Sequence, residues 1–215
     1  MLTLWGRASS VNVQKVLWAL DELDLPCTRI DAGGRYGVVD SDAFAVMNPT
    51  RRVPVLQDGD LTLWESEAIL RYLSAREWRF VPQTLPARAQ ADQWLAFGAT
   101  AVQPPFLTLF WQHVRLAPGR RDAGVAAAAR RDLTAALRVL DGQLARQDYL
   151  AGPTLGLPDI AVGALLHRIA ALDLMPDDCP ALDRWAAALS ERPGWQRHVA
   201  TSFEELRAPT HSEGA

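Results

Sequence analysis

The 215-residue chain has a single lysine, Lys15, and only two cysteines, Cys27 and Cys179. The cysteines lie far apart and form no CxxC pair, so the sequence predicts neither a disulfide framework nor a thiol–disulfide motif. There is also no excess of positive charge, because the formal net charge is −3. We therefore expect neither nucleic acid nor an anionic membrane as a partner.

Long hydrophobic runs are absent as well. No stretch of about 18 uncharged apolar residues occurs, and the opening MLTLWGRASS has no basic region leading into an apolar one. These absences predict a cytoplasmic protein without a membrane span. The histidines His113, His167 and His198 stand alone without metal-ligand spacing, so we expect structural roles for them and no metal. The predominance of arginine among the basic residues is attributed to coding composition rather than to function.

The first 75 residues alternate short apolar runs with helical patterns, which is typical of βα units. The predicted elements are a strand at 2–5, a helix carrying Val13 to Leu23, a strand at 27–30, a short helix at 43–46, strands at 53–56 and 61–64, and a helix at 65–75. Asp58-Gly59 is a strong hairpin signal between the last two strands. The predicted order is βαβαββα, that of a thioredoxin-like domain.

No strand pattern appears in the second half of the chain. Helical periodicity predicts an all-helical bundle with helices at 88–114, 124–146, 157–171, 181–190 and 194–206. Residues 77–87 contain prolines and aromatic residues without periodicity and indicate a boundary. We predict an α/β domain at 1–76, a linker at 77–87, an all-α domain at 88–207 and a frayed tail at 208–215.

The segment between the first strand and the first helix offers a hydroxyl at Ser10. One interpretation is an N-cap, because serine accepts hydrogen bonds from the free N–H groups of a helix start. The other is a donor beside the positive end of the helix dipole, a position that favours a thiolate over a thiol. Both interpretations stay open from the residues alone.

Two later segments offer backbone and anion contacts. Pro54 opens a strand, and a cis Val53-Pro54 bond would leave the Val53 backbone free to pair with an extended peptide. Glu65 and Ser66 begin a helix, where Ser66 either caps the helix or grips a ligand carboxylate. The Glu65 carboxylate could then hold a ligand ammonium.

Together these motifs, in the order SVNVQKV, NPTRRVP and WESEAI, resemble the glutathione site of cytosolic glutathione S-transferases. The resemblance is closest for serine-type, bacterial, phi- and theta-like branches. It covers the N-terminal domain closely and the helical domain in outline. It implies a homodimeric detoxification enzyme that uses glutathione as co-substrate.

The resemblance also implies roles for individual residues. Ser10 would donate a hydrogen bond to the glutathione sulfur, with Asn12 as a second candidate. The glutathione-binding set would be Arg52, Val53, Pro54, Glu65 and Ser66, and the resemblance predicts that the Val53-Pro54 bond is cis. For the second substrate, a small apolar electrophile, it suggests an aromatic wall. The residues expected there are Phe106, Phe110 and Trp111.

Three departures from the family pattern stand out. Arg51 replaces a usual glycine. The loop at 31–40 lacks a His-Lys pair for the glycine end of glutathione, which Arg35 or Arg52 could replace. Gly156 precedes Asp159 where a Ser/Thr capping box is expected.

The expected reaction is attack of glutathione thiolate on an electrophile. The alternatives are a glutathione-dependent isomerase, a dehalogenase, a non-catalytic binding member and a glutaredoxin-like reductase.

Overall fold

A four-stranded mixed sheet and a helical bundle make up the computed structural model, which describes residues 1–209. The N-terminal elements are β1 (Leu2–Trp5), α1 (Val11–Glu22), β2 (Cys27–Ile30), α2 (Asp42–Met47), β3 (Val55–Asp58), β4 (Leu61–Trp64) and α3 (Ser66–Glu77). The strand order is β2-β1-β3-β4, with β1 parallel to β2 and antiparallel to β3. The predicted βαβαββα order is confirmed.

The hairpin differs from its prediction in the bounds of its first strand. β3 begins at Val55, two residues later than predicted, and continues to Asp58, which pairs with Leu61. Only Gly59 and Asp60 form the turn, and Gly59 has a φ of 58°, which glycine adopts without steric cost. Val53 and Pro54 therefore lie before the strand rather than in it.

The second half of the chain is all-helical, as predicted. Its helices are α4 (Leu85–Phe97), α5 (Gln103–Phe110), α6 (Ala123–Leu144), α7 (Leu157–Ala171), α8 (Pro180–Ser190) and α9 (Pro193–His198). α4 begins three residues earlier than predicted, because the Thr84 side chain accepts the Ala87 N–H at 3.3 Å and Pro86 is tolerated in a first turn. The division of the chain at 76 and 87 stays a prediction.

Two predicted helices are interrupted. The run predicted at 88–114 contains π-helical turns at Gly98–Val102 and Trp111–Arg115. The first lies just before Pro104 and Pro105, which cannot donate backbone hydrogen bonds inside a helix. The helix predicted at 194–206 ends at His198, and a short 3₁₀ turn follows at Glu204–Leu206.

The interruption after α9 has a packing cause. Phe203 is buried, with its ring 5.5 Å from that of Phe110 and 6.4 Å from that of His167. The segment after α9 therefore packs against the helical core without being α-helical itself. Farther on, the Ala208 N–H donates to the Val114 carbonyl at 2.8 Å, so Ala208 is held rather than frayed. The rest of the predicted frayed tail, from residue 210, lies outside the described residues.

Helix α1 belongs to both hydrophobic cores and thereby fixes the cleft. Val13 and Val16 pack into the sheet core, whereas Trp18 is fully buried in the helical core. A Cβ on Gly194 would lie 2.8 Å from Trp18 Cδ1, and one on Gly163 would lie 3.2 Å from the same ring. These glycines let α1 approach the bundle closely. Among residues 1–209, no helix has the length and apolar character needed to cross a membrane.

Candidate functional site

A cavity of about 340 Å³ lies between the sheet domain and the bundle. Its walls include, from the first half of the chain, Arg7, Ser9, Ser10, Asn12, Arg51, Arg52 and Val53, and, from the bundle, Leu107, Phe110, Trp111, Arg115 and Arg168. Three larger hollows, of about 770, 780 and 570 Å³, contain none of the predicted site residues. The chemistry of its walls, rather than its size, therefore marks the cavity between the domains as the candidate site.

Ser10 lies at the start of α1 and faces this cavity. It occupies the N-cap position with extended backbone geometry, but its side chain makes no capping hydrogen bond. The residue is only 9% exposed. Ser10 therefore occupies the N-cap position that the first interpretation predicted, but its hydroxyl makes no hydrogen bond to the helix. The hydroxyl is available to a ligand.

Asn12, the second candidate for the sulfur contact, also lines the cavity. Its side-chain oxygen is buried without a hydrogen-bond partner. Amide oxygen and nitrogen are assigned from such partners, so either atom can face a ligand here. Asn12 can thus accept from a thiol or, after rotation of the amide, donate to a thiolate.

The Val53-Pro54 bond is cis, as predicted. Asn48 holds the preceding loop: its Nδ2 donates to the Arg52 carbonyl at 2.8 Å and its Oδ1 accepts the Thr50 N–H at 2.9 Å. Val53 lines the cavity and lies outside the β1–β3 ladder, which begins at Val55. Pro54 is buried behind it.

Glu65 and Ser66 lie at the β4–α3 junction and do not line the cavity that contains Ser10. The N-cap of α3 is Glu65 rather than Ser66, and it has a φ of 71°, an uncommon conformation for a non-glycine residue. Its side chain is exposed, whereas Ser66 is 2% exposed. The Ser66 hydroxyl donates to Glu67 Oε2 at 2.8 Å.

Beneath this junction lies a buried ion pair that the sequence did not reveal. Lys15 is 1% exposed and donates to Glu67 Oε1 at 2.7 Å and to Gln103 Oε1 at 2.5 Å. Burial acts to raise the pKa of Glu67, but the Lys15 ammonium and the Ser66 hydroxyl lower it below its ordinary value. The pair connects α1, α3 and the bundle. Its signal in the sequence was the single lysine, on an apolar helix.

Three arginines for which no role was predicted also face the cavity. Arg7, Arg115 and Arg168 all line the cavity. Arg168 is 3% exposed, although it lies in α7, which is otherwise almost wholly apolar. In the sequence, the feature that could have indicated Arg168 was a single arginine in an otherwise apolar helix. Burial, followed by the like charges of Arg115 and Arg7, lowers the pKa of Arg168 to about 10.

The aromatic wall is only partly as predicted. Phe110 and Trp111 line the cavity, and Trp111 is half exposed. Phe106 is fully buried in the helical core and does not line it. The expectation for Phe106 was therefore wrong: helical spacing alone does not show which of two aromatic residues one turn apart faces the cleft.

The loop arginines take different positions. Arg51 has a φ of 54°, the left-handed conformation that suits the glycine usual in the resembling family, and donates to the Val39 and Ser41 carbonyls at 3.3 and 3.2 Å. Arg52 is exposed and lines the cavity. Arg35 instead pairs with Glu205 at 3.1 Å and does not line it. Arg52 is thus the better placed of the two candidates for the glycine end.

Elsewhere, Asp159 shows how the incomplete capping box works. Its Oδ2 accepts the Gly156 N–H at 2.8 Å, while Oδ1 accepts the Leu150 N–H at 2.9 Å and Trp185 Nε1 at 3.0 Å. The carboxylate thus stabilises the start of α7 without a reciprocating side chain. No group of three or more His, Cys, Asp or Glu residues able to hold a metal occurs within residues 1–209.

Comparison with known proteins gives a consistent result. Residues 1–75 match the family described as glutathione S-transferase, N-terminal domain, and residues 97–193 match glutathione S-transferase, C-terminal domain. The chain is 36% identical to glutathione S-transferase GstB of Escherichia coli strain K12, over 93% of this chain and 98% of that protein. It is 32% identical to glutathione S-transferase 3 of Zea mays, over 93% of each chain.

A solved structure is similar over the same extent. The theta-class glutathione S-transferase of Xanthomonas axonopodis pv. citri, determined with glutathione bound, superposes with a TM-score of 0.89 at 38% identity. The match covers 94% of this chain and 98% of that one. With both family domains in order and relatives aligned over nearly their full lengths, the chain belongs to the glutathione S-transferase family.

Proposed function

We propose that this protein binds glutathione in the cavity between the domains and catalyses attack of its thiolate on a small electrophile. The observation that carries the proposal is the Ser10 hydroxyl, which faces the cavity at the start of α1 and is not used to cap that helix. A serine at this position can donate its hydroxyl proton to a sulfur atom in the cavity.

The same placement supports a binding mode for the rest of glutathione. The backbone of Val53 lies outside the sheet ladder and can pair with the cysteinyl unit. The free N–H groups at the start of α3 and the exposed Glu65 carboxylate suit the carboxylate and the ammonium of the γ-glutamyl unit. Arg52 suits the glycine carboxylate.

The energetics of thiolate formation fit this arrangement. A free thiol has a pKa of about 8.5, and lowering it by about 2 units corresponds to about 2.7 kcal/mol. One hydrogen bond to a charged group contributes roughly 1.5–3 kcal/mol, and a helix N-terminus roughly 0.3–1 kcal/mol. The Ser10 hydroxyl and α1 together therefore supply a stabilisation of the required size.

A spectrophotometric conjugation assay with a panel of electrophiles tests the proposal, run beside a mixed-disulfide reduction assay on the same preparation. We expect glutathione-dependent conjugation above the uncatalysed rate and no disulfide reduction, because serine rather than cysteine lies at the start of α1. Disulfide reduction without conjugation would replace the proposal by a reductase. Binding of glutathione without either activity would leave a non-catalytic binding protein.

We also propose that the protein is a homodimer. Exposed apolar residues occur in both halves of the chain, including Leu61 and Trp64 on the edge strand β4 and Val125 and Val139 on α6. Such residues favour burial against another surface. Sedimentation velocity should give a mass near twice that of one chain, and a monomer at micromolar concentration would refute the assembly without affecting the proposed chemistry.

A further inference from the structure

Three guanidinium groups converge on the part of the cavity that lies between Ser10 and the bundle. Arg7 comes from the loop after β1, Arg115 from the end of the helical run after α5, and Arg168 from α7. Within residues 1–209 none of the three lies within 4 Å of a carboxylate oxygen. The charge of the Glu205 carboxylate acts to raise the pKa of Arg7, but this carboxylate forms its ion pair with Arg35.

Arg168 is the most constrained of the three. Its Nη2 donates to the Ser9 carbonyl at 2.8 Å and to Gln14 Oε1 at 3.2 Å, and both partners are uncharged. Its guanidinium lies 5.2 Å from the Phe110 ring centre. Its Nε is buried and has no hydrogen-bond partner, and the same holds for Arg7 Nε. A buried, charged donor without a partner is costly, and an anion that accepts from it would remove that cost.

Arg115 is placed to complete such a site. Its guanidinium lies 5.3 Å from the Trp111 ring centre, which holds the side chain at the cavity wall. Burial lowers the pKa of Arg115, and burial together with the Arg115 charge lowers that of Arg7. Like charges that are desolvated together destabilise one another, and an anion bound between them relieves both costs.

We infer that Arg7, Arg115 and Arg168 form a carboxylate subsite beside Ser10, and that the electrophile is a small carboxylic acid rather than a wholly apolar molecule. The inference rests on the proposed function. The thiolate sulfur forms a bond to the carbon near the carboxylate, the bond from that carbon to its leaving group breaks, and the leaving group departs with the electron pair. The carboxylate is unchanged and only positions the carbon.

The subsite is assigned to the electrophile because two of its members belong to the bundle. Arg168 bonds to Ser9, next to the predicted sulfur position, and Arg115 stacks on Trp111 of the predicted electrophile wall. The glycine carboxylate of glutathione is the other source of the same chemistry. Arg52, which faces the cavity from the loop before the cis proline, is already available for it.

The test uses two reagents and two ligands that differ by one charge. Iodoacetate and iodoacetamide are compared as electrophiles, each rate being divided by its uncatalysed rate with glutathione. Independently of turnover, calorimetry compares S-carboxymethylglutathione with S-carbamoylmethylglutathione. The variant is Arg115→Gln, and the control is Arg120→Gln, which removes the same charge from an exposed arginine that does not line the cavity. Binding of glutathione is also compared with binding of its glycine monoethyl ester, which lacks the charge of the glycine carboxylate.

We expect the wild type to favour iodoacetate over iodoacetamide by about tenfold or more, and to bind the carboxymethyl ligand tighter than the carbamoylmethyl ligand by a similar factor, the scale of one charge-assisted hydrogen bond. Arg115→Gln should reduce both preferences about tenfold, with less than a threefold change in the KM of glutathione. Arg120→Gln should preserve them.

Equal affinities of the wild type for S-carboxymethylglutathione and S-carbamoylmethylglutathione overturn the inference. So does a preference for the acid that Arg115→Gln leaves intact. If esterification of glutathione weakens its binding in the wild type but not in Arg115→Gln, the subsite holds the glycine carboxylate and the inference is wrong. Conjugation of iodoacetamide alone defeats the inference but not the proposed function, whereas tight binding of the carboxymethyl ligand without any conjugation defeats the proposed function and supports the subsite.

Discussion

Replacing Ser10 by alanine should raise the pKa of the thiol of bound glutathione by about 1–2 units. The side chain is buried, faces the cavity and makes no capping hydrogen bond, so its removal takes away a ligand contact without weakening the cap of α1. The lost hydrogen bond to a charged acceptor amounts to roughly 1.5–3 kcal/mol, and each pKa unit corresponds to about 1.36 kcal/mol. The helix N-terminus remains in the variant and limits the shift.

The sign follows from which protonation state the hydroxyl stabilises. It donates to the thiolate, so its loss favours the thiol, and the variant needs a higher pH to ionise. If the thiol pKa moves from about 6.5 to about 8, turnover at pH 6.5 falls by about tenfold or more. At about pH 9 most of the deficit should disappear, because the thiol then ionises without help. Glutathione affinity should change much less.

Ultraviolet absorbance of the thiolate, titrated against pH, measures the shift directly. The matched comparison is Ser9→Ala, which makes the same chemical change one residue earlier; the Ser9 hydroxyl is also buried in the cavity wall and has no partner. Coincident curves for the wild type and Ser10→Ala would refute the assigned role. A shift in Ser9→Ala alone would assign it to Ser9, and the absence of a shift in both would make Asn12→Ala the next variant.

Three further substitutions test the surrounding structure. Glu65→Gln, which removes the negative charge and keeps the size of the side chain, should weaken glutathione binding by about 1.5–3 kcal/mol in a calorimetric titration, and unchanged affinity would remove Glu65 from the site. Lys15→Met should lower the free energy of unfolding by about 3 kcal/mol because it leaves the Glu67 carboxylate unpaired, and adding Glu67→Gln should restore part of the loss. Asp159→Asn should cost about 1–3 kcal/mol in urea unfolding, since an amide cannot accept on both sides; an equal cost for Asp132→Asn on the exposed face of α6 would contradict this.

Local patterns in the sequence were sufficient to predict the order of the secondary-structure elements, and the resemblance of its motifs to a known family supplied the glutathione-site hypothesis. Period-2 and period-3.6 patterns are local properties, so the βαβαββα order and the change to an all-helical half followed from them. Ser10 at a strand-to-helix junction and Val53 before Pro54 were also readable, because a turn or a helix start needs particular residue types within a few positions.

Which residues face one another across the cavity depends on tertiary packing. Arg7, Arg115 and Arg168 are separated by long stretches of sequence and meet because Trp18 and the glycines beneath it hold α1 against α7. The same packing buries Phe106 and places Phe110 in the cavity wall, and Phe203 packs against Phe110 after the last helix has ended. Periodicity shows which face of a helix is apolar, but what that face meets depends on contacts between distant segments, which no local pattern encodes.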